Sequence, residues 1–382
     1  MCARDPPRAL QRVNDLELDP IELLKDAVAT PSVTGEEHEM VRLLTEVLDE
    51  HGVPYEVDDM GNVLAGDLSG LILNAHLDTV PPGDGWEVTD PFDPTIRNGK
   101  LYGRGAADCK GGLAAATAAV VQGHYEEVPI GLLATVGEES SSEEDNGALH
   151  VCRTRELEAR AGIVCEPTDG QVHVGDRGRI TLRVTVRGRS AHASTPEMGK
   201  NPIEAATRVV EELSKMRPTE YRLPGIGIVR SDLTVTGIET DGPSNVIPEQ
   251  CEMTVDYRTV PGESAEEVKR RVERAAKRAV PSGFEVSVGV KSASRATVVN
   301  VEAPVVKAAV IAARKVGLQG ELDFKRGHCD IEYLVHEAGL DAVILGPSGG
   351  NIHGPDEWVK VEDVVRCARA YLTCANILPA PY

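Results

Sequence analysis

The run Leu71-Ile-Leu-Asn-Ala75, which passes directly into His76-Leu-Asp78, decides the fold. It is apolar without polar alternation, as a strand must be when both faces of its sheet are covered, and such strands are typical of parallel sheets. Three further runs share this grammar: Ile130-Gly-Leu-Leu-Ala-Thr-Val136, Gly162-Ile-Val-Cys165 and Ala342-Val-Ile-Leu345. Helical patterns surround them, over Pro20 to His51, Gly112 to Gln122, Ala303 to Val316, Ile331 to Ala338 and Val361 to Ala375. The expected fold class is therefore α/β: a mostly parallel sheet with helices on both faces.

A middle segment follows a different rule. The runs Ile180 to Val186, Asp232 to Thr236, Glu252 to Tyr257 and Phe284 to Val288 alternate apolar and polar residues, which predicts strands with one face buried. Amphipathic helices over Pro202 to Met216 and Ser264 to Val280 complete a β-α-β-β-α-β order, the ferredoxin-like split βαβ arrangement. The expected division is a catalytic domain in two parts, 1–176 and 293–382, with an inserted α+β domain over 177–292.

Acidic residues outnumber basic ones 61 to 40, and a formal charge of -21 would repel a phosphate backbone or an anionic membrane. Neither nucleic acid nor membrane is expected as a partner. Met1 to Pro20 has no apolar signal core and no later run is long enough to span a bilayer, so a cytoplasmic protein is expected. The eight cysteines, Cys2 included, form no Cys-x-x-Cys pair, and most are expected to be buried thiols.

Chemistry gathers where the buried strands end, because ligands of open α/β sheets bind outside the carboxyl ends of strands. The first run ends in His76 and Asp78, the second in Glu138 and Glu139, the third in Glu166, and the fourth reaches His353 after a glycine-rich loop. Asp108 directly precedes a helix of small residues. Two imidazoles with several carboxylates match the mixed donor set of a catalytic zinc or cobalt site. In an extended chain Asp78 falls on the same side as His76 and would fix its tautomer, whereas neighbours Glu138 and Glu139 would point apart, one to metal and one to water. One such residue alone is usually a solvated loop residue; five in this setting are not. The other histidines, His38, His51, His124, His150, His173 and His336, are expected at the surface or as caps. Gly346-Pro-Ser-Gly-Gly350 imitates a nucleophile elbow, but the loop after it lacks the helix that an elbow requires.

Several strings in order resemble the dinuclear metallohydrolase family of acetylornithine deacetylase, succinyl-diaminopimelate desuccinylase, aminoacylase and glutamate carboxypeptidase. They are His76-Leu-Asp-Thr-Val-Pro-Pro82, Leu101-Tyr-Gly-Arg-Gly-Ala-Ala-Asp-Cys-Lys-Gly-Gly112, Gly137-Glu-Glu139, Cys165-Glu-Pro-Thr168, Gly188-Arg-Ser-Ala-His-Ala193, Asn245-Val-Ile-Pro248 and Asn351-Ile-His353. The resemblance implies two divalent ions, zinc or else cobalt, one held by His76, Asp108 and Glu166, the other by Glu139 and His353, with Asp108 bridging. It implies Glu138 as general base, an inserted domain that is a lid and makes a homodimer, and substrate contacts from His192, Asn245 and Arg258.

The implied reaction is hydrolysis of the amide of a small N-acyl amino acid, of deacetylase or desuccinylase type as in arginine or lysine biosynthesis. A dipeptidase or carboxypeptidase is the alternative within the class, and a non-catalytic binding protein the alternative outside it. The chain departs from relatives at Gly327-His-Cys-Asp330, where Gly-Thr-Ser-Asp is frequent, and at Cys109, where Met is frequent. His328 is expected to reshape the substrate pocket, and Cys109 to be open to oxidation or soft metals.

Overall fold

A computed structural model describes residues 16–140 and 142–379; Cys2 lies outside them. Two compact units emerge, one built from the chain up to Gly175 with Val299–Lys325 and the chain from Cys329, the other from Asp176–Val298 with Arg326–His328.

In the first unit, four parallel strands form the centre: Ile130–Thr135, Leu71–His76, Ala161–Val164 and Ala342–Ile344, in that spatial order. Every residue in them is buried, which accounts for the unbroken apolar runs. The sheet as a whole is mixed, a correction to the mostly parallel expectation. Val63–Gly66 pairs antiparallel with Ile130–Thr135, and Val172–Asp176 pairs antiparallel with Ala342–Ile344. These flanking strands are short, and nothing in a three- to five-residue run announces its direction.

The expected helix from Pro20 to His51 is two helices, Pro20–Ala29 and His38–Glu50. Pro31 disfavours helix at Thr30, and Gly35 adopts φ 89, so the chain turns between them. Helix Gly111–Glu126 is buried all round from Gly111 to Gly123, and its alanines let it lie close to Pro20–Ala29, Val361–Ile377 and the sheet. A Cβ at Gly112 would stand 1.7 Å from the Cys165 carbonyl oxygen, so only glycine lets this helix start against the segment that carries Glu166. A small antiparallel sheet of Gly349–Gly350, Trp358–Lys360, Lys100–Tyr102 and Thr95–Arg97 was not foreseen. It anchors the loops that carry Asp108 and His353.

The second unit contains strands Gly178–Arg187, Asp232–Glu239, Gln250–Thr259 and Glu285–Ala293 with helices Pro202–Leu213 and Ala265–Ala279. The sheet is antiparallel throughout, and its apolar face, with Leu182, Val184, Val255 and Tyr257, packs on Val209, Val268 and Val272 of the helices. Ser264 caps the second helix through a reciprocal bond with Glu267. No helix among the described residues is long and apolar enough to cross a membrane.

Candidate active site

Parallel register brings the strand ends to one edge of the sheet. His76 stands level with Thr135, and Asn74 with Val164, so the residues that follow each strand emerge side by side. The Leu77 and Cys165 amides continue the ladder to the Thr135 and Asn74 carbonyls at 2.7 and 2.8 Å. His76, Glu138, Glu139 and Glu166 therefore converge because the central strands are parallel.

Asp108 arrives by another route. It lies in a tight turn, Ala106–Lys110, outside the helical conformation of its neighbours. The buried carboxylate of Glu357 holds this turn, accepting from the amides of Ala107 and Asp108 on one oxygen at 2.9 and 3.0 Å. Its other oxygen accepts from the Gly105 amide at 3.0 Å and from Arg104 Nη1 at 2.5 Å. Arg104 also donates to the carbonyl oxygens of Pro82 and His353, at 3.0 and 3.3 Å. His353 itself has φ 62, in a region unusual for a side chain larger than glycine. Its loop is closed by the Gly354 amide donating to the Asn351 carbonyl at 2.8 Å.

The assembled side chains form two groups that share Asp108. His76 Nε2 lies 3.0 Å from Asp108 Oδ1 and 3.2 Å from Glu166 Oε1. His353 Nε2 lies 2.7 Å from Glu139 Oε1 and 3.3 Å from Asp108 Oδ2. Four ligands at about 2.0–2.2 Å around one ion stand roughly 3.4 Å from each other, and the Asp108, Glu139 and His353 donors, all within 4.8 Å of one another, are spaced for a divalent ion, while His76 reaches both Asp108 and Glu166. Asp108 offers one oxygen to each group, the geometry of a bridge. The donor set thus fits two ions.

His76 turns Nδ1 toward Asp78. Its Nδ1 is 2.9 Å from the main-chain oxygen of Asp78 and 3.5 Å from Asp78 Oδ1. A carbonyl oxygen can only accept, so Nδ1 carries a proton and Nε2 is the ring nitrogen that faces the site. The Asp78 carboxylate also accepts from the amides of Glu138 and Glu139, at 3.1 and 3.0 Å, and from Thr34 Oγ1 at 2.8 Å. Against the upward push of burial, the His76 imidazole holds this carboxyl below its usual range.

Glu138 and Glu139 do not diverge as strand alternation predicts. The strand ends at Thr135, and Gly137 turns the chain with φ 70, so ligand atoms of His76, Glu138 and Glu139 lie within 4.8 Å of one another. Burial, with Glu166, Asp330 and Glu139 nearby, raises the Glu138 carboxyl well above the usual range despite His76. Burial opposes it at Asp108, where His353 and His76 nonetheless hold the carboxyl down. Hydrogen bonds to Asp108 and Glu139 raise His353 to about 10.

Cys109 Sγ accepts from the His76 amide at 3.2 Å and is fully buried. Burial pushes this thiol up to about 12, while its sulfur lies within 4.8 Å of donor atoms of His76 and Glu166, as the expectation of a thiol beside the metal site requires. The seven described cysteines are buried, and none forms a disulfide among the described residues. His173 is a correction: it is buried, and neither ring nitrogen has a hydrogen-bond partner among the described residues.

The second unit carries the other predicted residues. His192 lies opposite Val246 in a two-stranded ribbon, and the Ala193 amide donates to the Asn245 carbonyl at 2.9 Å, so both exposed residues occupy one short stretch. Arg258 on Gln250–Thr259 donates from Nε to Asp256 Oδ1 at 2.7 Å. His328 lies 3.2 Å from the Asp176 carboxylate. Sequence reasoning missed Glu357, Arg104 and Lys325; for the first two the only signal was Gly103-Arg-Gly105, whose partner lies some 250 positions away.

A parallel-centred α/β unit with histidine and carboxylate donors gathered at its strand ends has the layout of a metallohydrolase. Residues 72–376 match the model of peptidase family M20/M25/M40, and the chain belongs to that family. It is 32% identical over 384 residues to a succinyl-diaminopimelate desuccinylase of Cereibacter sphaeroides, covering 94% of this chain and 98% of the relative. A desuccinylase of Thioalkalivibrio sulfidiphilus is 31% identical over 385 residues, covering 92% and 97%. Among solved structures, an M20 family metallo-carboxypeptidase of Sulfolobus solfataricus superposes with TM-score 0.75 at 20% identity, over 94% of this chain and 99% of that one. A dinuclear metal binding peptidase of Bacillus subtilis gives 0.70 at 16% identity, over 94% and 97%. These structures share the fold. The chain is, by family, a hydrolase of amide bonds.

Proposed function

We propose that the protein removes the acyl group of a small N-acylated amino acid, with an N-succinyl amino dicarboxylate as the first candidate substrate. The observation that carries this reading is the pair of donor groups that share Asp108, with Glu138 beside them. The near full-length similarity to desuccinylases supports the choice of acyl group. His76, Asp108 and Glu166 would hold one divalent ion and Glu139, His353 and Asp108 the other, zinc or cobalt by donor chemistry; when bound, they supply Lewis acidity at the scissile carbonyl.

The chain's own residues do the rest. Asp78 holds the Glu138 and Glu139 amides and fixes where both carboxylates stand. Glu138 takes a proton from the attacking water and returns it to the amine nitrogen as it leaves, a role worth about 10²–10⁴-fold. In the second unit, His192 and Asn245 are assigned to the substrate carbonyl and Arg258 to its carboxylate, which a guanidinium matches with two parallel bonds. The same unit is assigned the role of lid and of contact surface in a homodimer.

A panel of N-succinyl-diaminopimelate, N-acetylornithine, N-acetyl-lysine and plain dipeptides tests the reading on protein loaded with zinc or cobalt. The expected result is the highest kcat/KM on the succinyl substrate. Preference for dipeptides would replace the deacylase reading with a peptidase one, and no turnover on any amide would overturn both.

A further inference from the structure

Lys325 ends the strand Leu322–Lys325, and its ammonium is largely buried against the site. Nζ lies 3.1 Å from Glu166 Oε2, while the other oxygen of the same carboxylate, Oε1, lies 3.2 Å from His76 Nε2. The two oxygens of Glu166 thus have separate duties: one faces the His76 group, and the other is taken by a cation. The second group has no counterpart. Among the described residues, Glu139 is ion-paired to His353 and to no lysine or arginine. Of the other buried cations of the region, Arg104 is spent on Glu357 and Lys110 on the carbonyl oxygens of Ala27 and Thr30.

We propose that Lys325 is a positioning residue that confines Glu166 to one-oxygen ligation and competes electrostatically with the ion on the His76 side, so that the two ions are held unequally. This rests on the two-ion reading given above.

The charge argument sets the direction. A fixed positive charge on a ligand's far oxygen repels a divalent ion and, in its absence, already neutralises the carboxylate that the ion would neutralise. Both effects weaken ion binding most on that side, where Lys325 pairs directly with Glu166, and less through the shared Asp108. The opposing effect, loss of the bond that orients the ligand, is typically worth 10–100-fold in affinity. The two proposals for Lys325, competitor or simple orienting bond, therefore predict opposite signs, and the competitor role is the one asserted here, because the charge acts on a divalent ion.

The test is stepwise zinc titration of the metal-free full chain in chelator-buffered solutions, comparing wild type, Lys325→Met and Lys325→Arg. Unfolding of each metal-free protein is followed in parallel. For Lys325→Met, one of the two dissociation constants should fall by tenfold or more and the other stay within threefold, while Lys325→Arg, which keeps the charge, stays near wild type. The metal-free Met variant should be less stable, since Glu166 loses its partner. Two unchanged constants, or a weakened one, would overturn the proposal; a purely structural lysine would lower stability without tightening either ion. Wild type that binds fewer than two ions would instead defeat the two-ion reading, so the two failures are distinguishable.

Discussion

Replacing Glu357 by glutamine should damage the site from outside it. The carboxylate accepts four hydrogen bonds, from the Gly105, Ala107 and Asp108 amides and from Arg104, and both side chains of that ion pair are about 1% exposed. Glutamine keeps one accepting oxygen and turns an NH₂ toward donors, so one pair of donors, either Ala107 and Asp108 or Gly105 and Arg104, loses its acceptor. It also leaves the Arg104 guanidinium buried without a counter-charge. Breaking a buried pair on one side costs about 3–5 kcal/mol, and the turn that aims Asp108 at both groups should loosen with it. Urea unfolding of the metal-free protein reads the first effect, and metal content after dialysis reads the second. Arg104→Met in the Glu357→Gln background should cost less than the sum of the single changes, because the stranded charge is gone. A Glu357→Gln protein within 1 kcal/mol of wild type that keeps both ions would refute the reasoning.

Burial, with Lys325 nearby, lowers His173 from 6.5 to about 4. The unfolded chain takes up that proton near 6.5 and the folded chain does not, so stability should fall as pH drops through this window, by up to roughly 3 kcal/mol. His173→Leu should flatten that acid limb in urea unfolding between pH 7 and 4.5; parallel curves for the two proteins would show that His173 does not titrate this way. Arg258→Ala should raise KM or lower kcat by a combined factor corresponding to about 2–5 kcal/mol if the guanidinium leaves Asp256 for a buried substrate carboxylate. Both parameters within a factor of two of wild type would leave it as a strand-end ion pair.

Features that depend on neighbours in sequence were legible. The four uniformly apolar runs became the four parallel strands, and parallel pairing alone then forces their ends together, which is why His76, Glu139 and Glu166 were readable as one centre. The alternating runs of the middle segment likewise became strands with one buried face. What escaped depends on distant partners or on single backbone angles. The Arg104–Glu357 pair joins positions some 250 residues apart. The convergence of Glu138 and Glu139 hangs on one left-handed glycine at 137. His173 looked like any polar residue in a short strand until the packing around it was known. The break at Pro31 and Gly35 was readable, and the helical pattern on either side masked it.

The central claim is that Glu138 moves the proton while Glu139 holds an ion. Glu138→Gln and Glu139→Gln, measured side by side for turnover and for metal content by mass spectrometry, test it most directly. The account predicts that Glu138→Gln keeps both ions and loses turnover by 10²-fold or more, whereas Glu139→Gln loses an ion together with its activity. Near-normal turnover in Glu138→Gln, or loss of metal from it as ready as from Glu139→Gln, would contradict the account.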